Sequence, residues 1–149
     1  MLELLLPGLS LWADRYTKAL AVKGAELVPP FEEHIQWKHI ENPGLAGSLL
    51  KDHPKAVTGI HASACGLMSV ILLADHRRRN AAERTGAWFL FLGALSNLFD
   101  RLTHGTVTDM FRFPRACGKL KQLVFNVADF MILLGAVFTL LGRLFRKKA

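Results

Sequence analysis

The sequence predicts an all-α membrane protein with four transmembrane helices and a small extracytoplasmic β element. Its 149 residues match the size of a single domain covering 1–149. The apolar residues are concentrated in a few long runs, and charged residues stand mainly at the ends of those runs. This segregation is typical of membrane helices, which need about 20 apolar residues to cross the hydrocarbon core.

The apolar runs give four candidate spans of unequal clarity. The last run is the clearest, because only Asn126 and Asp129 are strongly polar within it. The first run is the weakest, since Pro7 and Gly8 interrupt its pattern and predict a short, broken helix. We place the spans at about 1–22, 56–74, 85–102 and 123–142.

Four spans place both termini on the same side of the membrane. The arginine-rich loop at 77–84 and the basic C-terminus then share the cytoplasm, as the positive-inside tendency requires. Four basic residues oppose this tendency because they fall in the loop placed outside, namely Arg112, Arg115, Lys119 and Lys121.

The insert at about 23–55, between the first two spans, is too long for a simple connector. Polar and apolar residues alternate within it, with Phe31, Ile35, Trp37 and Ile40 as apolar members. This alternation predicts a small strand-rich element on the outer membrane surface.

Composition excludes several classes of function. The net charge of +7 sits at the ends of apolar runs, which favours a membrane over a nucleic-acid partner. Cys65 and Cys117 form no CxxC pair, and the 6 histidines show no metal-binding spacing such as HExxH. We therefore expect no metal and no cofactor.

The polar residues of the spans fall towards the outer face in this topology. Because ionisable residues are costly in lipid, their convergence indicates a functional site. A purely structural alternative stays open, in which Asp14 pairs with Lys18 at helical spacing and Asp100 pairs with Arg101 or a neighbouring helix. The converging residues are Asp14, Lys18, Asn97, Asp100, Arg101, Asn126 and Asp129, with Asp109 just beyond the third span.

Asp109 and Asp129 are the most informative pair. Two carboxylates held close together in a poorly solvated site share one proton, because both cannot ionise cheaply. The ionised member can then take a proton from water while the other donates to the scissile carbonyl or the leaving amine. The pair thus indicates metal-free peptide hydrolysis of the aspartic type.

Five short motifs follow one another between residues 14 and 129. They are Asp14-Arg-Tyr-Thr17-Lys18 (DxxTK), Asn42-Pro-Gly44-Leu-Ala46 (NxGxA), Ser96-Asn97-Leu-Phe-Asp100-Arg101 (GNxxDR), Gly105-Thr-Val107-Thr-Asp109-Met-Phe111 (GxVxDF) and Phe125-Asn126-Val-Ala128-Asp129 (FNxAD). In type and order they resemble the motifs of lipoprotein signal peptidases, also called signal peptidase II.

This resemblance implies four transmembrane helices with cytoplasmic termini, plus an extracytoplasmic β element and a surface helix. It also implies a multi-pass protein of the bacterial inner membrane whose active site faces the extracytoplasmic side. The family removes signal peptides from diacylglyceryl-modified prolipoproteins just before the lipidated cysteine, without a metal, and the cyclic peptide globomycin inhibits it. Membrane phospholipid is a further expected partner.

The resemblance also implies roles for individual residues. Asp109 and Asp129 correspond to the catalytic dyad. The residues expected to bind substrate or support the site are Asp14, Lys18, Asn42, Gly44, Asn97, Asp100, Arg101, Asn126 and Ala128.

Three positions depart from the family pattern. Ser96 replaces a glycine, Gly47 replaces a bulky aromatic residue, and Phe130 replaces a small residue. Three rival functions stay open at this point. They are a divergent paralogue that binds or processes other membrane peptides, a small transporter or channel subunit, and a structural membrane subunit.

Overall fold

The computed structural model describes residues 2–25, 33–45, 47, 49–75 and 79–145. The described residues form four α-helices and three strands, joined in part by a 3₁₀ helix at Gly118–Gln122. The helices are α1 (Leu2–Val22), α2 (Pro54–Asp75), α3 (Ala81–His104) and α4 (Val127–Leu144). The strands are β1 (Gln36–Asn42), β2 (Val107–Arg112) and β3 (Val124–Phe125), which form one antiparallel sheet in that spatial order.

The fold is mostly helical, as predicted. Among the described helices, two are long and apolar enough to cross a membrane, over Pro54–Leu73 and Val127–Leu144, with mean hydropathy of 1.8 and 1.9. Both also leave most of their surface exposed. The four-span topology stays a prediction.

Two helices begin at other residues than the predicted spans, whose limits in the membrane stay predictions. α4 begins at Val127 rather than Leu123, because Val124 and Phe125 have extended backbone and pair with β2. α3 begins at Ala81 rather than at 85, because Asn80 caps the helix there. Its side chain accepts a hydrogen bond from the Glu83 amide.

The predicted break at Pro7 and Gly8 was wrong, because α1 runs continuously through both residues. Pro7 lies near the start of the helix, so its missing N–H removes one bond and leaves the following turns intact.

Within the residues that the structure describes, the insert at about 23–55 contributes one strand rather than a complete sheet. Its strand β1 pairs with β2, which follows α3, and the register places Ile40 opposite Asp109. Phe31, one of the apolar members of the alternating pattern, lies outside the described residues, and the implied surface helix stays a prediction.

Small residues bring α3 and α4 into close contact beside the sheet. A Cβ atom added to Gly93 would lie 2.7 Å from the Ala128 carbonyl oxygen, so only glycine permits this approach. Since Ala128 adjoins Asp129, the contact fixes the first turn of α4 against α3.

Candidate active site

A cavity of about 710 Å³ lies between the sheet and the first turns of α4. Asp109 from β2 and Asp129 from α4 both line it. The α2 side contributes His61, whose Nδ1 pairs with the Val57 carbonyl at 3.0 Å. The remaining polar wall consists of Glu41, Asn42, Asn97, Arg101 and Gln122.

Asn126 holds both carboxylates at once. Its side-chain nitrogen donates to Asp109 Oδ1 at 2.7 Å, and its backbone nitrogen donates to Asp129 Oδ2 at 3.1 Å. Its side-chain oxygen accepts from the Asp129 amide at 2.9 Å, which completes a capping box at the start of α4. The N-cap of one helix thereby sets the positions of both acidic groups.

Each carboxylate accepts one further hydrogen bond. Asn97 donates to Asp129 Oδ1 at 3.1 Å, and Asn42 donates to Asp109 Oδ2 at 3.2 Å. An ionised carboxylate offers about four lone-pair sites, so both retain capacity for water or a substrate group.

A buried ion network lies directly behind this site. The Lys18 ammonium contacts Asp14 Oδ2 and Asp100 Oδ2, each at 2.8 Å, and donates to Asn97 Oδ1 at 2.9 Å. The predicted Asp14–Lys18 pair is confirmed, and Asp100 pairs with Lys18 and Arg15 of α1 rather than with Arg101. Because Asn97 also contacts Asp129, the structural ion pairs and the site form one network.

Asp14 also anchors the first turn of α4. Its Oδ1 accepts from the Ala128 amide at 2.7 Å, where the positive end of the helix dipole favours an anion. Its Oδ2 accepts from the Ser96 hydroxyl at 2.6 Å. The departure at Ser96 therefore adds a hydrogen bond to a completely buried carboxylate.

Arg101 fixes the turn that follows β1. Its guanidinium donates to the carbonyl oxygens of Asn42 at 3.4 Å and Pro43 at 3.2 Å, and also to that of Gly44. The Asn42 side-chain oxygen accepts from the Gly44 amide at 3.0 Å within the same turn. The last residue of this motif, Ala46, lies outside the described residues.

Asp109 is the carboxyl group best suited to carry a proton near neutral pH. Burial and the neighbouring charge of Asp129 raise the pKa of Asp109 to about 7, although hydrogen bonds from Asn42 and Asn126 oppose the shift. Asp109 therefore exists in both protonation states at neutral pH.

Glu41, which belongs to none of the five sequence motifs, lines the cavity beside Asn42. Burial raises the pKa of Glu41, but hydrogen bonds from Thr106, His39 and Thr108 outweigh that effect and lower it. Glu41 is therefore an anionic part of the cavity wall. Its adjacency to Asn42 on a strand was the available signal.

Comparison with known proteins decides the family of this chain. The family profile described as "Signal peptidase (SPase) II" matches residues 7–145. The chain belongs to the signal peptidase II family.

Two relatives, both described as lipoprotein signal peptidases, come from Pasteurella multocida and Fusobacterium nucleatum. The first is 34% identical, over 83% of this chain and 76% of that protein. The second is 27% identical, over 91% of this chain and 82% of that protein.

Two solved structures, each of a bacterial membrane enzyme, share the fold. One, at 2.3 Å resolution, has a TM-score of 0.79 and 20% identity, and the match covers 99% of this chain and 93% of that chain. The other, at 1.9 Å resolution, has a TM-score of 0.75 and 19% identity. That match covers 97% of this chain and 94% of the other chain. As a member of the signal peptidase II family, the chain is an integral membrane protein and a peptidase.

The role of Asn126 can be separated from simple helix capping. We expect Asn126→Ala to lower the rate of peptide cleavage about 100-fold, because Asp109 loses a donor and the Asp129 amide loses the side-chain oxygen that caps it. The lost cap should also cost about 1 kcal/mol of stability. Asn80→Ala is the matched control, since Asn80 caps α3 and donates to the Gly142 carbonyl at 2.8 Å. Equal activity losses in the two variants, measured beside their thermal unfolding, would contradict this role.

Proposed function

We propose that this chain removes the signal peptide from diacylglyceryl-modified prolipoproteins, using Asp109 and Asp129 as a shared-proton pair. The observation that carries the proposal is that Asn126 holds both carboxylates at one cavity. Membership of the signal peptidase II family supports the substrate class. The active site faces the extracytoplasmic side of the bacterial inner membrane in this proposal.

The chemistry follows from the shared proton. The ionised member of the pair takes a proton from a water molecule, whose oxygen bonds to the scissile carbonyl carbon. The protonated member donates to the carbonyl oxygen and, as the C–N bond breaks, a proton passes to the leaving nitrogen. Because the pair titrates as a unit, the acid and base roles belong to both residues together. Asn97, Asn126 and Asn42 would orient the two carboxylates throughout.

The remaining expected residues act in support. Lys18, Asp14 and Asp100 fix Asn97 and the start of α4, and Arg101 shapes the Asn42–Gly44 turn. This turn lines the cavity and would contact the peptide. Ala128 contributes its backbone amide, and Gly44 its backbone carbonyl. Globomycin, a cyclic peptide, would compete for the same cavity.

The distribution of charge argues against a conduction path. Ionisable groups occupy the end of the bundle near the sheet, and Arg84 pairs with Glu3 at the other end. The described helical stretches between these ends, 4–13, 62–74, 85–96 and 130–142, hold no Asp, Glu, Lys, Arg or His. A proton or ion path needs polar groups at several depths.

The test is cleavage of a purified diacylglyceryl-modified prolipoprotein, with the same polypeptide lacking the lipid as the control. Mass spectrometry should show a product that begins at the lipidated cysteine, in equal yield with and without a chelator. No cleavage by the folded protein, or cleavage confined to the unlipidated control, would reject the proposed substrate.

A further inference from the structure

A second cavity, of about 400 Å³, adjoins the first at Asp129. It lies between the β2–β3 connection and α4, and Phe125 and Leu133 border both cavities. Apart from Asp129 its lining is apolar, consisting of Phe113, Ala116, Leu120, Phe125, Phe130 and Leu133.

Three phenylalanine rings form one wall of this cavity. The rings of Phe113, Phe125 and Phe130 contact one another, with centroids 5.9 to 6.0 Å apart. Phe130 is one of the departures from the family pattern, so this chain builds the wall with a large ring. An apolar wall of this kind favours apolar molecules over water.

The position of the cavity points towards the bilayer. Leu120 and Leu133 on its rim are 53% and 62% exposed, and Leu133 lies on a helix apolar enough to cross a membrane. The exposed residues Lys119 and Lys121 flank Leu120, and basic side chains of this kind attract anionic lipid headgroups.

The lining selects the chemical class of the occupant. A peptide main chain carries obligatory donors and acceptors, which this wall would leave unsatisfied at a cost in free energy. The first cavity, in contrast, offers Asn42, Arg101 and Gln122 to a peptide. A hydrocarbon chain needs no polar partner and gains from burial of each methylene.

We propose that the second cavity holds a fatty acyl chain of the substrate's diacylglyceryl group. This inference rests on the proposed function, because the lipidated cysteine then lies beside the scissile bond, and hence near Asp129. In this arrangement the acyl chain enters the cavity at Asp129 and leaves it towards the bilayer past Leu133.

The test fills the cavity and varies the length of the acyl chains. Ala116→Trp should raise KM at least tenfold for a dipalmitoyl substrate and less than twofold for the dibutyryl form of the same polypeptide. Cys117→Trp places the same side chain at the neighbouring exposed position, outside the cavity, and should change neither KM. Leu120→Asn, at a half-exposed position, should reproduce the chain-length effect if Ala116→Trp does not fold.

Two results would overturn the proposal. One is that Ala116→Trp, or Leu120→Asn in its place, changes KM equally for the two substrates or changes it for neither. The other is loss of a co-purified phospholipid from Ala116→Trp with no change in KM, which would assign the cavity to a bilayer lipid. If the parent cleaves neither substrate, the proposed function fails, and binding of dipalmitoylglyceryl-cysteine decides the cavity. The parent should then bind it at least tenfold more tightly than the dibutyryl analogue, and Ala116→Trp should abolish that difference.

Discussion

Asp109→Asn and Asp129→Asn should each reduce cleavage of a diacylglyceryl-modified prolipoprotein by at least about 1000-fold. Each substitution removes a carboxylate from a pair that must hold one proton and one charge, and general acid–base catalysis contributes about 10² to 10⁴ to the rate. The amide oxygen of asparagine can still accept from Asn126, so the hydrogen-bond pattern around the site is largely kept.

The control for both variants is Asp52→Asn, which removes a carboxylate from an exposed turn before α2. It should retain the parent rate. Thermal unfolding in the same detergent or lipid should show that both dyad variants remain folded. A folded dyad variant that keeps a tenth or more of the parent rate would exclude that aspartate from the chemistry.

Lys18→Met should destabilise the protein by about 3 to 5 kcal/mol, because it leaves two buried carboxylates without their shared cation. Asp14 and Asp100 each lie 2.8 Å from the ammonium, and Lys18 is 2% exposed. For a chain of this size the loss corresponds to a lower melting temperature on the order of 10 °C. Cleavage should also fall, since the Asn97 oxygen loses one of the two donors, Lys18 and Asn126, that fix its orientation towards Asp129.

Lys119→Met provides the control for charge removal, because Lys119 is exposed on the 3₁₀ helix. It should leave the melting temperature within about 1 °C of the parent, as expected for a surface substitution. A similar melting temperature for Lys18→Met and Lys119→Met would contradict the buried ion network.

The convergence of polar residues was predictable, because span order alone places the ends of α1 and α3 beside the start of α4. For Asp100, two partners stayed open, namely Arg101 and a neighbouring helix. Only the packing of the helices decides between them, and it brings Asp100 into contact with α1. The sequence pattern could not distinguish Arg15 and Lys18 from Arg101 as the partners of Asp100.

The sheet was only partly predictable for a physical reason. β1 carries an alternating pattern, whereas β3 comprises two residues inside an apolar run that reads as a helix. Its strand character arises from pairing with Phe111 and Arg112 of β2, a contact that local propensity does not encode. Asn126 becomes the N-cap of α4 because the strand ends immediately before it.

The role of Ser96 also depended on the fold. In the sequence it is a substitution in a motif, whereas in the structure its hydroxyl lies 2.6 Å from Asp14 Oδ2. The second cavity was equally hidden, because Phe113, Phe125 and Phe130 come from three separate segments.

The pH dependence of kcat/KM tests the shared-proton pair most directly, because it reports the protonation states of the free enzyme. Asp109, with a pKa raised to about 7, keeps its proton below that pH and loses it above. We therefore expect a bell-shaped profile that falls about tenfold per pH unit above neutrality, where the pair no longer carries a proton. A rate that instead rises to a plateau above pH 8 would contradict a mechanism that needs one protonated aspartate.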